Sequence, residues 1–333
     1  MSEWRKDPFT ERWTIVAPER AGRPYEFGEG EGTQCPFCEG METMTPPEVF
    51  SIRRDGTAEN QPGWFVRVFP NKYPALQRDI PFWSMEDEFH QAMSGFGVHE
   101  VIVETPHHAV DFSELPEEQI VKVLMTYRER LRYFSGEKEL QYGLIFKNQG
   151  VEAGASMSHA HSQFVATPVI PQAVCAELQS ARAFYSQRGK CLFCALLEQE
   201  RKKFTRVVFE SKHFVALVPY AARLPFEVVV LPVSHSATFL EETRLEDLAQ
   251  TLRRVLWGVR ECSGGSAFNF VLHSVPYHAR SEEYQGYHWH FEILPSFPRV
   301  AGFEWGSGFS INVLPPEEAA SRLRLCLGFQ ESE

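Results

Sequence analysis

His159-Ala160-His161-Ser162-Gln163, near the middle of the chain, returns toward its end as His288-Trp289-His290-Phe291-Glu292. In an extended strand residues i, i+2 and i+4 share a face, so His159, His161 and Gln163 would point the same way. Working back from each histidine pair, the same landmarks appear in the same order. An apolar strand, residues 142–146 or 268–272, comes first. Before it lies an amphipathic helical stretch. One is opened by Ser113-x-x-Pro116-Glu117 and runs to about residue 134; the other is opened by a Thr243-x-x-Glu246 capping box and runs to about residue 259. Further back stand His108 and His235, each five residues beyond a β-branched run, 100–103 or 227–230. Upstream again, Phe65-Val66-Arg67-Val68-Phe69-Pro70 matches Phe214-Val215-Ala216-Leu217-Val218-Pro219 without a gap, and both read as short strands ended by proline. Each series begins with a Cys-x-x-Cys pair, Cys35-Pro36-Phe37-Cys38 and Cys191-Leu192-Phe193-Cys194. Six features repeated in one order define tandem homologous α+β domains, 1–172 and 173–333. Residues 173–187 read as a linking helix, 315–325 as a last helix, and 26–33 and 53–62 as loops.

The composition fits this division. The chain has 333 residues, 43% hydrophobic and 23% charged, the range of a globular protein large enough for two domains. No apolar run approaches the ~18–20 residues of a membrane span, so no membrane association is expected. The opening Met1-Ser2-Glu3-Trp4-Arg5-Lys6-Asp7 has no apolar stretch of the signal-peptide kind, and a cytoplasmic location is expected. A net charge of −11 weighs against a general nucleic-acid binder, which needs clustered cations on phosphates. It leaves room for a phosphorylated small molecule.

Seven cysteines, an odd number, argue against a disulfide framework. Zinc takes four Cys and His ligands in a tetrahedron. Cys35, Cys38, His108 and His159 make one such set; Cys191, Cys194, His235 and His288 make the other. Alignment from Glu100 and Glu227 onward selects His108 over His107. Two zinc ions per chain are expected, with iron as the alternative in the second set. The long spacing makes each set a clip between distant strands rather than a compact finger.

Upstream of His159 lies Asn148-Gln149-Gly150-Val151-Glu152-Ala153-Gly154-Ala155-Ser156-Met157-Ser158. Its small residues let backbone N–H groups and hydroxyls approach an anion. Feeding a row of imidazoles, such a loop points to phosphorus chemistry, with His161 as a nucleophile held beside a metal-locked His159. The second half lacks this loop and reads as structural. There His290 and Glu292 are expected to form a hydrogen-bonded pair or to serve as extra ligands.

Asn148-x-Gly150 followed by Gly154-Ala155-Ser156-Met157-Ser158-His159-Ala160-His161-Ser162-Gln163 resembles the active-site signature of the galactose-1-phosphate uridylyltransferase family, the transferase branch of the histidine-triad superfamily. Arg20-Ala21-Gly22-Arg23-Pro24, Phe69-Pro70-Asn71-Lys72-Tyr73-Pro74 and Pro106-His107-His108 also find counterparts, so the resemblance spans nearly the whole chain. It implies tandem histidine-triad-like domains, each an antiparallel sheet with packed helices. It also implies that His161 attacks the α-phosphorus of UDP-glucose, giving a uridylyl-histidine that galactose 1-phosphate then relieves of its nucleotide. Gln163, Ser156, Asn148 and Gly154 would hold phosphates; Arg20, Arg23 and Asn71 would hold the nucleotide. A homodimer is implied, the partner completing the sugar pocket.

Hydrolytic relatives carry histidine at the position of Gln163. An amide is no general acid near neutrality, which suits transfer between sugar phosphates that leave as good anions. Three features depart from the best-known members. Ala160 replaces a proline, Lys72 replaces an acidic residue, and Phe303-Glu304-Trp305-Gly306-Ser307-Gly308-Phe309-Ser310 places Ser310 where a sugar-gripping glutamate stands. Members with this tail include an ADP-glucose phosphorylase, which transfers adenylyl groups to phosphate. That activity, and a zinc-stabilised nucleotide-binding protein without turnover, are the competing readings.

Overall fold

A computed structural model describes residues 2–22, 35–109, 111–265, 267–296 and 301–329. Arg23 and the whole loop read at 26–33 lie outside the described residues. The chain opens with β1 (Glu3–Lys6) and β2 (Trp13–Val16), then β3 (Phe50–Arg53), β4 (Trp64–Pro70), β5 (Ser84–Glu86), β6 (Gln91–Ser94) and β7 (Val98–Val103). Helix α1 (Glu117–Phe134) leads to β8 (Tyr142–Gln149) and β9 (His161–Thr167). The second half runs α2 (Gln172–Arg188), α3 (Leu192–Lys203), β10 (Val207–Glu210), β11 (Phe214–Leu217), β12 (Val228–Pro232), α4 (Leu245–Ser263) and β13 (Phe268–His273). It ends with α5 (Ser281–Gly286), β14 (His290–Pro295), α6 (Gly302–Ser307) and α7 (Pro316–Cys326).

Ten strands form one antiparallel sheet in the order β10-β11-β12-β14-β13-β8-β9-β7-β4-β3. Read outward from its centre, each half has the same plan: β8-β9-β7-β4-β3 on one side and β13-β14-β12-β11-β10 on the other. The duplication read in the sequence is thus a structural one. The sequence did not reveal that the two sheets are fused. β8 and β13 pair edge to edge from Phe268↔Gln149 to Leu272↔Ile145, satisfying backbone groups that two separate sheets would leave exposed. A small sheet, β2-β1-β6-β5, flanks the first half.

One face of the large sheet is covered by α1 and α4. Ile120, Val123, Leu124, Tyr127 and Leu131 of α1, and Leu248, Leu252, Val255 and Val259 of α4, are buried at helical spacing in a single core. The helices also exchange partners across the halves. Arg128 and Arg132 donate to the carbonyl oxygens of Glu242 and Leu240, and Arg260 pairs with Asp111 and Glu114. The other face differs between halves. In the second half α2 and α3 cover it, burying Val174, Leu178 and Leu197. In the first half a cleft opens over the same face, beside a small cluster of Trp64, Phe69, Val101 and Val103.

Three local expectations are corrected. Helix α4 starts at Leu245 with Arg244 at its N-cap, and Thr243 forms no capping box. The Glu242 carboxylate accepts the Arg244 N–H at 2.8 Å and its guanidinium at 2.6 Å, which fixes the chain's approach in place of Thr243. β9 begins at His161, so His159 precedes the strand. The sequence argued against a disulfide framework, and one bond is nevertheless present, Cys262 to Cys326, where the ends of α4 and α7 meet with Cα atoms 6.3 Å apart.

Candidate active site and metal clusters

The two Cys-x-x-Cys pairs each meet two histidines. Cys35, Cys38, His108 and His159 have ligand atoms within 4.8 Å of one another, and so do Cys191, Cys194, His235 and His288. His159 Nδ1 lies 3.5 Å from Cys35 Sγ and 3.6 Å from Cys38 Sγ, while its Nε2–H donates to the Thr105 carbonyl at 2.9 Å. His288 repeats this arrangement, with Nδ1 3.6 Å from Cys191 Sγ and Nε2–H donating to the Pro232 carbonyl at 3.2 Å. A carbonyl accepts only, so Nδ1 of both rings carries the lone pair that a cation needs. Burial holds His159 neutral, its pKa pushed down to about 4. Two soft sulfurs and two imidazole nitrogens in this arrangement fit a tetrahedral zinc ion.

Two residues beyond the clamp stands His161, buried at the start of β9. Its Nδ1–H donates to the carbonyl of His159 at 2.8 Å. Nε2 is therefore the nitrogen with the lone pair, as a nucleophilic imidazole requires. Below the strand, Lys147 Nζ reaches the His161 carbonyl at 3.1 Å and Glu104 Oε2 at 2.7 Å. Ser162 and Tyr127 also hydrogen-bond to Glu104 in the same buried cluster. The strand is thus pinned from behind at His161.

His161 and Gln163 line a cavity of about 190 Å³ together with Asn71, Lys72, Tyr73, Ser156 and Met157. Its apolar wall is Pro36, Phe37, Phe69 and Val101. The Phe37 ring stands edge-on to His161 at 5.3 Å and to His159 at 6.1 Å, so the Cys35–Cys38 segment also shapes the cleft. Met44, Thr45 and Pro46 close one side. Arg67, almost fully buried, fixes them through Thr45 Oγ1 at 2.6 Å and Glu48 at 3.0 Å.

The other expected site residues are placed less directly. Arg20 donates to the Tyr73 carbonyl at 2.7 Å, touching the cleft through a wall residue. Asn148 does not line the cavity; its Oδ1 accepts from Asn269 Nδ2 at 2.8 Å across the seam of the sheet. Gly154 ends the short turn beneath the Ser156 loop, with φ of +81°. Met44 and Thr45 were not singled out as site residues, because only folding brings the 44–46 loop over the sheet; Phe69 lies in the segment 69–74 already matched to the family. His99 was missed for the same reason and is treated below.

In the second half His290 occupies the place of His161, its Nδ1–H donating to the His288 carbonyl at 3.1 Å. Among the described residues α2 lays Glu177 against it, 3.8 Å from His290 Nε2 and 2.9 Å from His273 Nδ1. His290 and Glu292 do not act as a simple pair: Glu292 bonds Arg223 at 2.9 Å. Glu177, His273, His290 and Glu292 form a third group with metal-ligand geometry. Glu177 and His273 were not anticipated. The signal was a histidine ending the apolar strand 268–272 and a lone acid on the linking helix.

Comparison with known proteins agrees with this layout. Residues 1–171 match the N-terminal domain, and residues 177–298 the C-terminal domain, of galactose-1-phosphate uridyl transferase. An ADP-glucose phosphorylase of Arabidopsis thaliana is 35% identical over 333 residues, 97% of this chain and 92% of that protein. A galactose-1-phosphate uridylyltransferase of Thermotoga maritima is 31% identical over 338 residues, covering 97% of this chain and 98% of that protein. A solved uridylyltransferase superposes with a TM-score of 0.82 at 32% identity, covering 98% of each chain. The crystal structure of an ADP-glucose phosphorylase from Arabidopsis thaliana with bound ADP-glucose gives 0.77 at 33% identity, over 97% of this chain and 99% of that one. The fold and these relatives define a nucleotidyltransferase. Within that class, the chain belongs to the galactose-1-phosphate uridyl transferase family.

Proposed function

We propose that the chain is a UDP-glucose–hexose-1-phosphate uridylyltransferase with His161 as its nucleophile. Nε2 attacks the α-phosphorus of the nucleotide sugar. A P–N bond forms, the P–O bond to glucose 1-phosphate breaks, and its electron pair leaves on the sugar phosphate. Galactose 1-phosphate then attacks the uridylyl-histidine and restores the free ring. Gln163 and Ser156 donate to the phosphate oxygens, Asn71 contacts the nucleotide, and Arg20 and Arg23 support it from the N-terminal segment. The supporting observation is the fixed His161 ring: Nδ1–H is committed to a carbonyl, so the attacking nitrogen needs no prior deprotonation. Incubation with labelled UDP-glucose, followed by quenching, should leave label on the protein; a His161→Asn variant should take up none.

A second reading changes the substrates and keeps the chemistry. The 35% identity to an ADP-glucose phosphorylase favours ADP-glucose as donor and phosphate as acceptor, and Ser310 in place of the family's glutamate argues against galactose 1-phosphate as acceptor. Labelling from ADP-glucose alone would select it.

We assign zinc to both Cys₂His₂ sets, where it would clip strands together and orient His159. The third group has no thiolate; imidazole and carboxylate suit iron or zinc, but Glu177 and Glu292 already bond His273 and Arg223 within the chain. We also propose a cytoplasmic homodimer, with the division between the two domains at 172/173. Its support is the tail after β14, where Trp305, Phe309 and Val313 are 77%, 68% and 85% exposed, an apolar run that a second subunit would cover.

A further inference from the structure

We infer that His99 is a positioning residue for nucleotidyl transfer, setting which end of the Gln163 amide faces the reacting phosphate. The inference rests on the proposed role of His161 and extends it to a residue outside the family signature.

His99 lies on β7, two residues before Val101, which pairs directly with Gln163 on β9. Both side chains therefore stand on the cleft face of the sheet. The Ala75 backbone N–H points at His99 Nδ1 from 3.0 Å. A backbone N–H only donates, so Nδ1 carries the lone pair and, in the neutral ring, the proton sits on Nε2. That nitrogen lies 2.8 Å from Gln163 Oε1. Asn71 is oriented independently: its Oδ1 accepts the Tyr73 N–H at 2.9 Å, which turns its Nδ2 inward. Asn71 Nδ2 is 3.5 Å from Gln163 Oε1 and 3.2 Å from His99 Nε2. Because His99 Nε2 already carries a hydrogen, the bond from Asn71 goes to the Gln163 oxygen.

Two donors, each fixed by a backbone N–H, thus converge on one carbonyl oxygen. The Gln163 amide has a single satisfied orientation, with Oε1 toward His99 and Asn71 and its NH₂ as the remaining end. A phosphate oxygen accepts only. The bound orientation offers it a donor; the reversed amide would set oxygen against oxygen. His99 never needs to touch the substrate. It acts through Gln163, and a glutamine in this position can serve transfer because its direction is imposed from behind.

The test compares two substitutions that both lose the Ala75 contact. His99→Gln places an amide N–H where Nε2–H stood; His99→Leu does not. The readouts are the single-turnover rate of His161 nucleotidylation, donor affinity and thermal midpoint. Both variants should lose thermal stability alike. His99→Gln should label within about threefold of the wild type, and His99→Leu should be slower by about tenfold or more with donor affinity little changed. On a Gln163→Ala background, His99→Leu should cost less than about threefold, because the two act as a unit. Nitrogen-15 spectra of labelled histidine should show the Nε2–H tautomer at position 99. Equal rates for His99→Leu and His99→Gln, an undiminished penalty on Gln163→Ala, or an Nδ1–H tautomer would each overturn the inference while leaving His161 as nucleophile. A wild type that acquires no nucleotide would remove the proposed function and this role together.

Discussion

At the scale of single residues, the chemistry depends on which ring nitrogen holds a proton. His159, His161 and His288 each donate one N–H to a main-chain carbonyl, so their reactive nitrogens are set by backbone geometry. His161→Gly should therefore reduce turnover by at least about a thousandfold while circular dichroism and metal content stay near wild type. Normal turnover in that variant would contradict the assignment. Glu48 carries a different burden. Burial alone would raise its carboxyl, but hydrogen bonds from Arg53, Ser51 and Arg67 outweigh it and hold the pKa below 4.5. The folded value lies below the unfolded one, so Glu48 contributes stability at neutral pH that is lost as pH falls from 4.5 through the folded value. Glu48→Gln should cost about 3 kcal/mol, since Arg67 and Arg53 would remain buried against a neutral partner. Urea titration at pH 7 and pH 4 measures it, and the penalty should shrink at the lower pH.

At the scale of elements, periodicity and β-branching made α1, α2, α7 and the paired strands legible, because each buries one regular face. The Cys and His sets were legible for another reason: ligand chemistry repeats wherever the duplication does. The α4 start was misread because Glu242, one residue before Thr243, takes the Arg244 N–H and guanidinium, which leaves Arg244 at the N-cap. The 44–46 loop and His99 were invisible as site residues because nothing local marks them; they join the site through contacts between distant segments. The turn before His159 has its own constraint. Gly150 has φ of +84°, and a Cβ there would come within 2.9 Å of the Ala267 Cβ. Gly150→Ala should destabilise the protein by about 1–3 kcal/mol and loosen the loop carrying Ser156. Its donor KM should rise; an unchanged KM and thermal midpoint would show that the turn tolerates a side chain.

At the scale of the whole molecule, one sheet carries two equivalent halves with different fates. Over β9 the face is left open as a cleft; over β14 the helices α2 and α3 cover it, and Glu177 lies against His290, the counterpart of His161. Alternating residues reveal that a strand has two faces but not which face a distant helix covers, so this asymmetry was legible only as the missing glycine and serine loop. Both Cys₂His₂ sets gather residues far apart in sequence. Elemental analysis should find about two zinc ions per chain, and chelation should lower the thermal midpoint by on the order of 10 °C. Metal-free protein of unchanged stability would show that the clips are idle. Light scattering should give a dimer, and replacing Trp305 and Phe309 by serine should shift it toward monomer with loss of acceptor turnover.

The most direct measurement is peptide mass spectrometry of enzyme quenched within its first turnover on UDP-glucose or ADP-glucose. The account predicts one added nucleoside monophosphate, bonded to the imidazole of His161 and discharged when an acceptor is supplied. A fully active enzyme whose position 161 stays unmodified with every donor would contradict it.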